Sequence, residues 1–290
     1  MIEPCKNISI APYTHYKIGG IAREAFFPAN AVEFHDVMVT LTQGSVPYYI
    51  LGGGSNVLVG DGYWDGAVII TTGMVTFETF DDHITCGAGL DSSRVAEIAL
   101  EHGKTGLEFL YQLPGTIGGA LAMNARYDMI NIADTVISFQ AVHPEKGIRT
   151  FMKDDIDFSY KHNSITHEGW YICEITLAWQ NGSAETIRKR MDDIELKRRE
   201  GGHFEYPSCG CIFKNDYEHN IRVGQLLDEM GFKGYSSGDA QVSRNHANFI
   251  VNTGNATAGD VLSIIEHIER NVKAEKGIEL EREVRLLGTF

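Results

Sequence analysis

The chain lacks most of the features that tie a protein of its size to a compartment or a common ligand. Cysteine is scarce: the five residues Cys5, Cys86, Cys173, Cys209 and Cys211 are odd in number, and none are spaced Cys-x-x-Cys. A zinc ribbon and a disulfide framework are therefore not expected, the thiols are expected to stay reduced, and no metal site is predicted. No run of 18 apolar residues occurs, and Met1-Ile2-Glu3-Pro4-Cys5 lacks the charged-then-apolar profile of a signal peptide; the expectation is a cytoplasmic protein without a membrane partner. Positive charge is in deficit, with 25 Lys and Arg against 39 Asp and Glu for a net charge of −14, which argues against a nucleic-acid partner. The common nucleotide signatures fail as well. No Gly-x-Gly-x-x-Gly opens a helix, and Gly103-Lys104-Thr105 has Ile98 where a P-loop needs glycine.

Glycine is what the chain has in excess, 31 of 290 residues against a usual ~7%. Fourteen of them fall in residues 51–120, beside β-rich apolar runs rather than in Gly/Ser linkers, a pattern of backbone brought close to another surface. With 43% hydrophobic and 22% charged residues the composition is globular, and the length suits two or three domains. Short strands are predicted at Tyr48–Leu51, Val57–Val59 and Ala67–Thr71, and longer ones over Thr135–Val142 and Trp170–Trp179. A helix is predicted from an Asp91/Ser92 cap to Gly103. A charged one from Ala184 to Arg199 leads into Gly201-Gly202, where a domain boundary is placed. The most regular helix starts at Thr257, with Asp260 completing a capping box, carries Val261, Ile265, Ile268 and Val272 on one stripe, and stops at Gly277. Ile278–Leu287 then alternates as a strand does, with Ile278, Leu280, Val284 and Leu286 on one face and Glu279, Glu281, Glu283 and Arg285 on the other. The fold class is α+β.

Several segments carry a chemical reading beside a plainer one. Gly52-Gly53-Gly54-Ser55-Asn56, between two strands, lets backbone N–H groups approach a diphosphate, or it is a tight turn. Pro114-Gly115-Thr116-Ile117-Gly118-Gly119-Ala120, followed by Asn124, is a second such segment. Within Tyr206-Pro207-Ser208-Cys209-Gly210-Cys211-Ile212-Phe213-Lys214-Asn215 a thiol is a possible proton donor to a carbanion, because an ordinary pKa of ~8.5 leaves it mostly protonated at neutral pH; the alternative is that Cys211 is a small buried residue. The charge row from Glu279 to Arg285 reads as a solvated strand face, His246 as a hydrogen-bonded structural histidine, and Lys197-Arg198-Arg199 as solvated helix surface or as a contact for an anion.

In order along the chain, these segments resemble the UDP-N-acetylenolpyruvoylglucosamine reductases, flavoenzymes of peptidoglycan precursor synthesis. The resemblance begins at Thr14-His15-Tyr16-Lys17-Ile18-Gly19-Gly20-Ile21-Ala22 and takes in both glycine segments, Met123-Asn124-Ala125 and the loop from Ser208 to Asn215. Gly224-Gln225-Leu226-Leu227, Ala240-Gln241-Val242-Ser243 with His246-Ala247-Asn248-Phe249, and Leu280-Glu281-Arg282-Glu283-Val284-Arg285 complete it. At 290 residues the chain is similar to the shorter branch, which lacks an extra substrate-covering insertion, so a more open site is expected. The resemblance implies an FAD-binding region of two subdomains, of the vanillyl-alcohol-oxidase type, over residues 1–65 and 66–200, and a C-terminal α+β substrate domain over 201–290. It also implies non-covalent FAD, NADPH as co-substrate and UDP-N-acetylglucosamine enolpyruvate as substrate, in a cytoplasmic step serving cell-wall synthesis, cell shape and division. No obligate protein partner is implied.

In that family the reduced flavin passes a hydride to the terminal carbon of the enolpyruvyl double bond. An arginine and a glutamate stabilise the enolate-like intermediate, and a serine protonates the neighbouring carbon. Carried onto this chain, the glutamate falls at Glu283, with Glu281 the runner-up, and the proton donor at Cys211, where a thiol is a far stronger acid than the usual alcohol. The pattern Phe-Gly-Tyr-Arg-x-Ser meets Phe158-Ser159-Tyr160-Lys161-His162-Asn163, which puts Lys161 in the arginine's place, a point charge instead of a planar fork. A one-residue insertion would instead align His162 with the arginine and Ser164 with the serine; the first register keeps both Phe158 and Tyr160. The resemblance further implies cofactor contacts at Gly52, Gly53, Gly54, Ser55, Asn56, Gly115, Thr116, Gly118, Gly119 and Asn124, and substrate contacts at Tyr160, Lys214, Asn215 and His246. Ala125-Arg126-Tyr127-Asp128 departs from the family's Gly-Ala-Tyr-Gly-like continuation, so nothing is carried over beyond Asn124.

Overall fold

The computed structural model describes residues 2–290. They divide into two units: the N-terminal residues up to Lys6 with Glu24–Gly53 and Asp65–Lys197, and Asn7–Arg23 with Gly54–Trp64 and Arg198–Phe290.

In the first unit the strand Tyr48–Leu51 runs parallel to Tyr63–Ile70, in register from Tyr48↔Ala67 to Leu51↔Ile70. The second strand begins earlier than its composition suggests. Asp65-Gly66 reads as a turn, yet this is an interior strand of its sheet, and pairing on both sides overrides local preference. The helix Ala31–Gln43 starts where the Asn30 side chain accepts from the Glu33 N–H at 3.0 Å, and lays Phe34, Val37, Met38 and Leu41 against Ala67 and Ile69. A five-stranded antiparallel sheet has the spatial order Gly147–Met152, Val136–His143, Tyr171–Ala178, His83–Gly87, Phe77–Thr79. Phe139 pairs with Phe151 on one side and Ile175 on the other, and Ile175 in turn with Cys86, so one buried row crosses the sheet. The helix Ser92–Glu101, capped by Asp91, covers that core with Val95, Ile98 and Ala99.

The second unit has an antiparallel sheet in the order Ser208–Cys211, Phe249–Asn252, Ala240–Val242, Ser236–Ser237. The helix Ala258–Lys276 buries Val261, Ile264, Ile265, Ile268 and Val272 in its core. Its N-terminus is held twice: by the Thr257–Asp260 capping box, and by Asp61, whose carboxylate accepts from the N–H groups of Ala258 at 2.9 Å and Gly259 at 3.2 Å. Gly277 closes it with φ 69°. The strand expected over Ile278–Leu287 is reduced to Arg285–Leu287, which runs parallel to Val57–Val59. Leu287 is buried while Leu286 is exposed, so the alternation changes phase after Val284. The residues before it follow the Ile212–Lys214 backbone through the isolated bridge Phe213↔Arg282 instead of a continuous ladder.

Candidate active site

The two glycine segments meet within the first unit. A Cβ on Gly53 would stand 2.6 Å from the Gly115 Cα, and one on Gly52 would stand 2.7 Å from the Thr116 hydroxyl. Only glycine lets these backbones lie against each other. The Gly115–Gly118 stretch is fastened from behind, since Gly115 O accepts from Ser92 N at 3.0 Å, and Gly118 N donates to Ala88 O at 2.9 Å. Gly118 is buried, and a Cβ there would meet that of Ala88 at 2.5 Å, whereas Gly119 is exposed and its Cβ would meet only the Thr116 hydroxyl at 3.5 Å. The outward surface is half-exposed Gly52 and Gly53 with exposed Gly119. A cradle free of side chains is what a cofactor diphosphate needs, and these residues fit one.

Asn124 closes the short helix Ile117–Ala122 from the left-handed region at φ 40° and is buried. Its amide donates to Ser159 O at 2.9 Å and accepts from Ala133 N at 3.4 Å. Ser159 belongs to a small hairpin, Phe158↔Asn163 and Ser159↔His162, with Tyr160-Lys161 as its two-residue turn and Lys161 at φ 55°. The ammonium of Lys161 lies 6.0 Å from the centre of the Tyr160 ring. His162 stacks on His167 at 4.7 Å, and fully buried Asn163 accepts from Ile165 N at 3.2 Å as the cap of the next turn of helix. Lys161 therefore occupies the apex of the hairpin, and His162 its flank.

In the second unit the chain from Gly54 to Asn56 is structural on one side. Gly54, at φ 67°, has Tyr13 O where a Cβ would go, and its carbonyl accepts from His15 N at 3.0 Å. Asn56 reaches the C-terminal segment: its amide donates to Glu283 O at 3.1 Å, and its carbonyl accepts from Arg285 N at 3.1 Å. Glu283 N donates to Ile212 O at 2.7 Å, which sets the acid beside the residue that follows Cys211. Opposite Val251 and Phe249 stand Ser208 and Cys211, one residue more than the partner strand supplies. This bulge holds Gly210 at φ 79° with open space around the position of a Cβ, and leaves Cys211 half-buried while Cys209 is buried. Burial pushes the Cys209 thiol up to about 12 against a hydrogen bond with Tyr16, with Glu283 and Cys211 adding to the push. Glu283 and Cys211 are thus both within electrostatic reach of one buried sulfur. Tyr16 is itself fully buried and donates to Ile250 O at 2.9 Å.

The remaining candidates divide. Lys214 and Glu281 bond each other at 2.6 Å, with Glu281 71% exposed, which sets Glu281 apart from half-buried Glu283. Asn215 accepts from Val223 N at 2.9 Å at the start of the helix Val223–Glu229. His246 packs against Phe249 at 4.5 Å, and its Nδ1 accepts from Asn248 N at 3.3 Å. Sequence reasoning passed over His203, whose ring meets Phe249 at 5.0 Å and His246 at 6.3 Å; nothing in its local sequence marks it.

Burial lowers the pKa of both histidines, Arg198 adding to the effect at His203, and His203 and Lys233 at His246. The native state then binds fewer protons than the unfolded chain, where histidine titrates near ~6.5. Their contribution to stability is full above that pH and is lost as pH falls below it through the lowered native values. Exposed His219, raised by its hydrogen bond to Asp216, acts in the opposite sense. His203→Gln is expected to flatten the drop in melting temperature between about pH 7 and pH 5. A slope equal to that of the unmodified chain would remove His203 from this account.

The chain is similar to known proteins along almost all of its length. Residues 23–150 match an FAD binding domain, and residues 202–287 match the UDP-N-acetylenolpyruvoylglucosamine reductase C-terminal domain. The UDP-N-acetylenolpyruvoylglucosamine reductase of Levilactobacillus brevis is 37% identical over 99% of this chain and 94% of its own length. That of Caldanaerobacter subterraneus subsp. tengcongensis is 34% identical over 99% and 92%. The crystal structure of the Thermus caldophilus enzyme, 30% identical, matches with a TM-score of 0.84 over 99% of this chain and 100% of that one. On this similarity, carried along almost its entire length, the chain belongs to the UDP-N-acetylenolpyruvoylglucosamine reductase family.

Proposed function

We propose that the protein reduces UDP-N-acetylglucosamine enolpyruvate to UDP-N-acetylmuramate, with FAD as its cofactor and NADPH as reductant. Residues 1–65 and 66–200 then form the two subdomains of an FAD-binding region of the vanillyl-alcohol-oxidase type, and residues 201–290 the substrate domain. The FAD supplies hydride transfer from NADPH to the terminal carbon of the enolpyruvyl double bond. The cradle of Gly52, Gly53, Gly115, Thr116 and Gly119 would hold its diphosphate, with Gly54, Ser55, Asn56, Gly118 and Asn124 as further cofactor contacts.

The observation that carries this reading is the tie between the Cys211 strand and the Glu283 segment, made by the 2.7 Å bond from Glu283 N to Ile212 O. Cys211 delivers the proton to the carbon beside the carboxylate. Glu283 and Lys161 stabilise the enolate that precedes it, Lys161 through its charge. Tyr160, Lys214, Asn215 and His246 contact the substrate, Lys214 exchanging Glu281 for an anionic group. We place the reaction, which uses a nucleotide sugar and NADPH, in the cytoplasm, in the supply of cell-wall precursor for growth, shape and division. Among the described residues no helix is long and apolar enough to cross a membrane.

The test is spectroscopic. The purified protein should carry flavin absorbance, or acquire it on addition of FAD, and should oxidise NADPH at an appreciable rate only when the enolpyruvyl nucleotide sugar is present. Flavin that NADPH reduces and the enolpyruvyl sugar fails to reoxidise would overturn the substrate; a chain that takes up no FAD would overturn the whole reading.

A further inference from the structure

We infer that Asn248 is a positioning residue for proton delivery, fixing the strand that carries Cys211; the inference rests on the reading of Cys211 as the donor. Asn248 is 3% exposed and uses both ends of its side-chain amide on one neighbour: Oδ1 accepts from Phe213 N at 3.0 Å and Nδ2 donates to Phe213 O at 2.8 Å. Its backbone works in the same direction, the carbonyl accepting from Ile212 N at 2.9 Å and the N–H donating to His246 Nδ1 at 3.3 Å. Ile212 O in turn accepts from Glu283 N.

The strand pair makes its last backbone match at Cys211↔Phe249. Two residues further on, Phe213 is 1% exposed, and its N–H and C=O face no partner strand. The Asn248 amide stands in for the missing rung of the ladder. It is the shortest side chain that offers a donor and an acceptor in one plane. Alanine removes both, and aspartate keeps the acceptor while setting a carboxylate against the Phe213 carbonyl. In either case the buried Phe213 backbone must move to find partners, because an unmade bond costs more than a shifted strand. The move displaces residues 211–214, and with them the thiol. A misplacement of ~1 Å at a reacting group is enough to cost ~10²-fold in rate.

The experiment follows the two half-reactions of the FAD-loaded enzyme by stopped flow. Asn248→Ala should slow reoxidation of the reduced flavin by the enolpyruvyl sugar about 10- to 100-fold and leave reduction by NADPH unchanged. Because Asn248 acts through Cys211, the same substitution in a Cys211→Ala background should lose most of its effect. Equal slowing of both half-reactions, equal slowing in both backgrounds, or no slowing overturns the inference. In the cofactor-free chain, alkylation of Cys211 by iodoacetamide, followed by peptide mass spectrometry against exposed Cys5, should change in rate; an unchanged ratio also counts against it. Should Asn248→Ala fail to fold, Asn248→Asp carries the same expectations. A Cys211→Ala enzyme that reoxidises at the wild-type rate strikes at the donor assignment instead, and the alkylation result then decides the positioning by itself.

Discussion

Cys211→Ala is expected to slow the reoxidation of reduced flavin by the enolpyruvyl sugar by about 10²- to 10⁴-fold, the usual worth of a positioned general acid, and to leave flavin reduction by NADPH as it was. Cys211→Ser should recover much of the loss, since a hydroxyl at the same place still carries a proton. The structural ground is the contrast between the two thiols of the loop. Cys209 is buried, bonded to Tyr16 and pushed up to about 12, which makes it a core group. Cys211, one bulge later, is half-buried and on the strand joined to Glu283. Single-turnover mixing of pre-reduced variant with substrate measures the step directly. Wild-type reoxidation in Cys211→Ala would assign the proton to another group.

The second large effect concerns the cofactor. Gly53→Ala places a Cβ 2.6 Å from the Gly115 Cα and 3.1 Å from the Thr116 N, a clash of backbone against backbone that no rotamer relieves. Overpacking of this kind costs ~1–3 kcal/mol, so FAD affinity should fall roughly 5- to 150-fold as the two loops separate. The cofactor-free protein should melt lower as well, because the clash exists without a ligand. Gly119→Ala is the control: its Cβ meets only the Thr116 hydroxyl at 3.5 Å on an exposed surface. It should leave the melting temperature alone and weaken FAD only through the ligand. Flavin fluorescence titration and thermal melts of both apoproteins separate the cases, and equal behaviour of the two variants would dissolve the cradle.

Much of this was legible in the residues themselves. The Thr257 helix was, because its cap, its stripe and its terminal glycine are all local signals, and the structure returns them as Ala258–Lys276 between Thr257 and Gly277. The two glycine segments were visible as segments, but their contact was not: that Gly53 lies on Gly115 depends on the layers that bring residues 53 and 115 together. Glu283 could be told from Glu281 only by resemblance, since strict alternation puts both on one face. Their surroundings separate them, Glu281 exposed and paired with Lys214 and Glu283 half-buried, and both depend on partners far away in sequence. His203 and the amide of Asn248 left no trace in periodicity, because a buried polar side chain that replaces a backbone rung looks, in sequence, like any loop residue.

The second unit is assembled from three stretches of chain, and this bears on how the protein is made. Tyr16 donates to Ile250, a partner 234 residues downstream, and Val57 pairs with Arg285. At ~5–20 residues per second of translation, the segment holding Tyr16, Ile18 and Leu58 emerges from the ribosome roughly 10–50 s before the core that buries it exists. For that interval a nascent chain carries an apolar stretch whose partners have not been synthesised, and closing so long a loop is slow. Biogenesis, more than the finished fold, is then where a chaperone has most to do for this protein, and Arg198–Phe290 is the stretch on which completion of the second core waits.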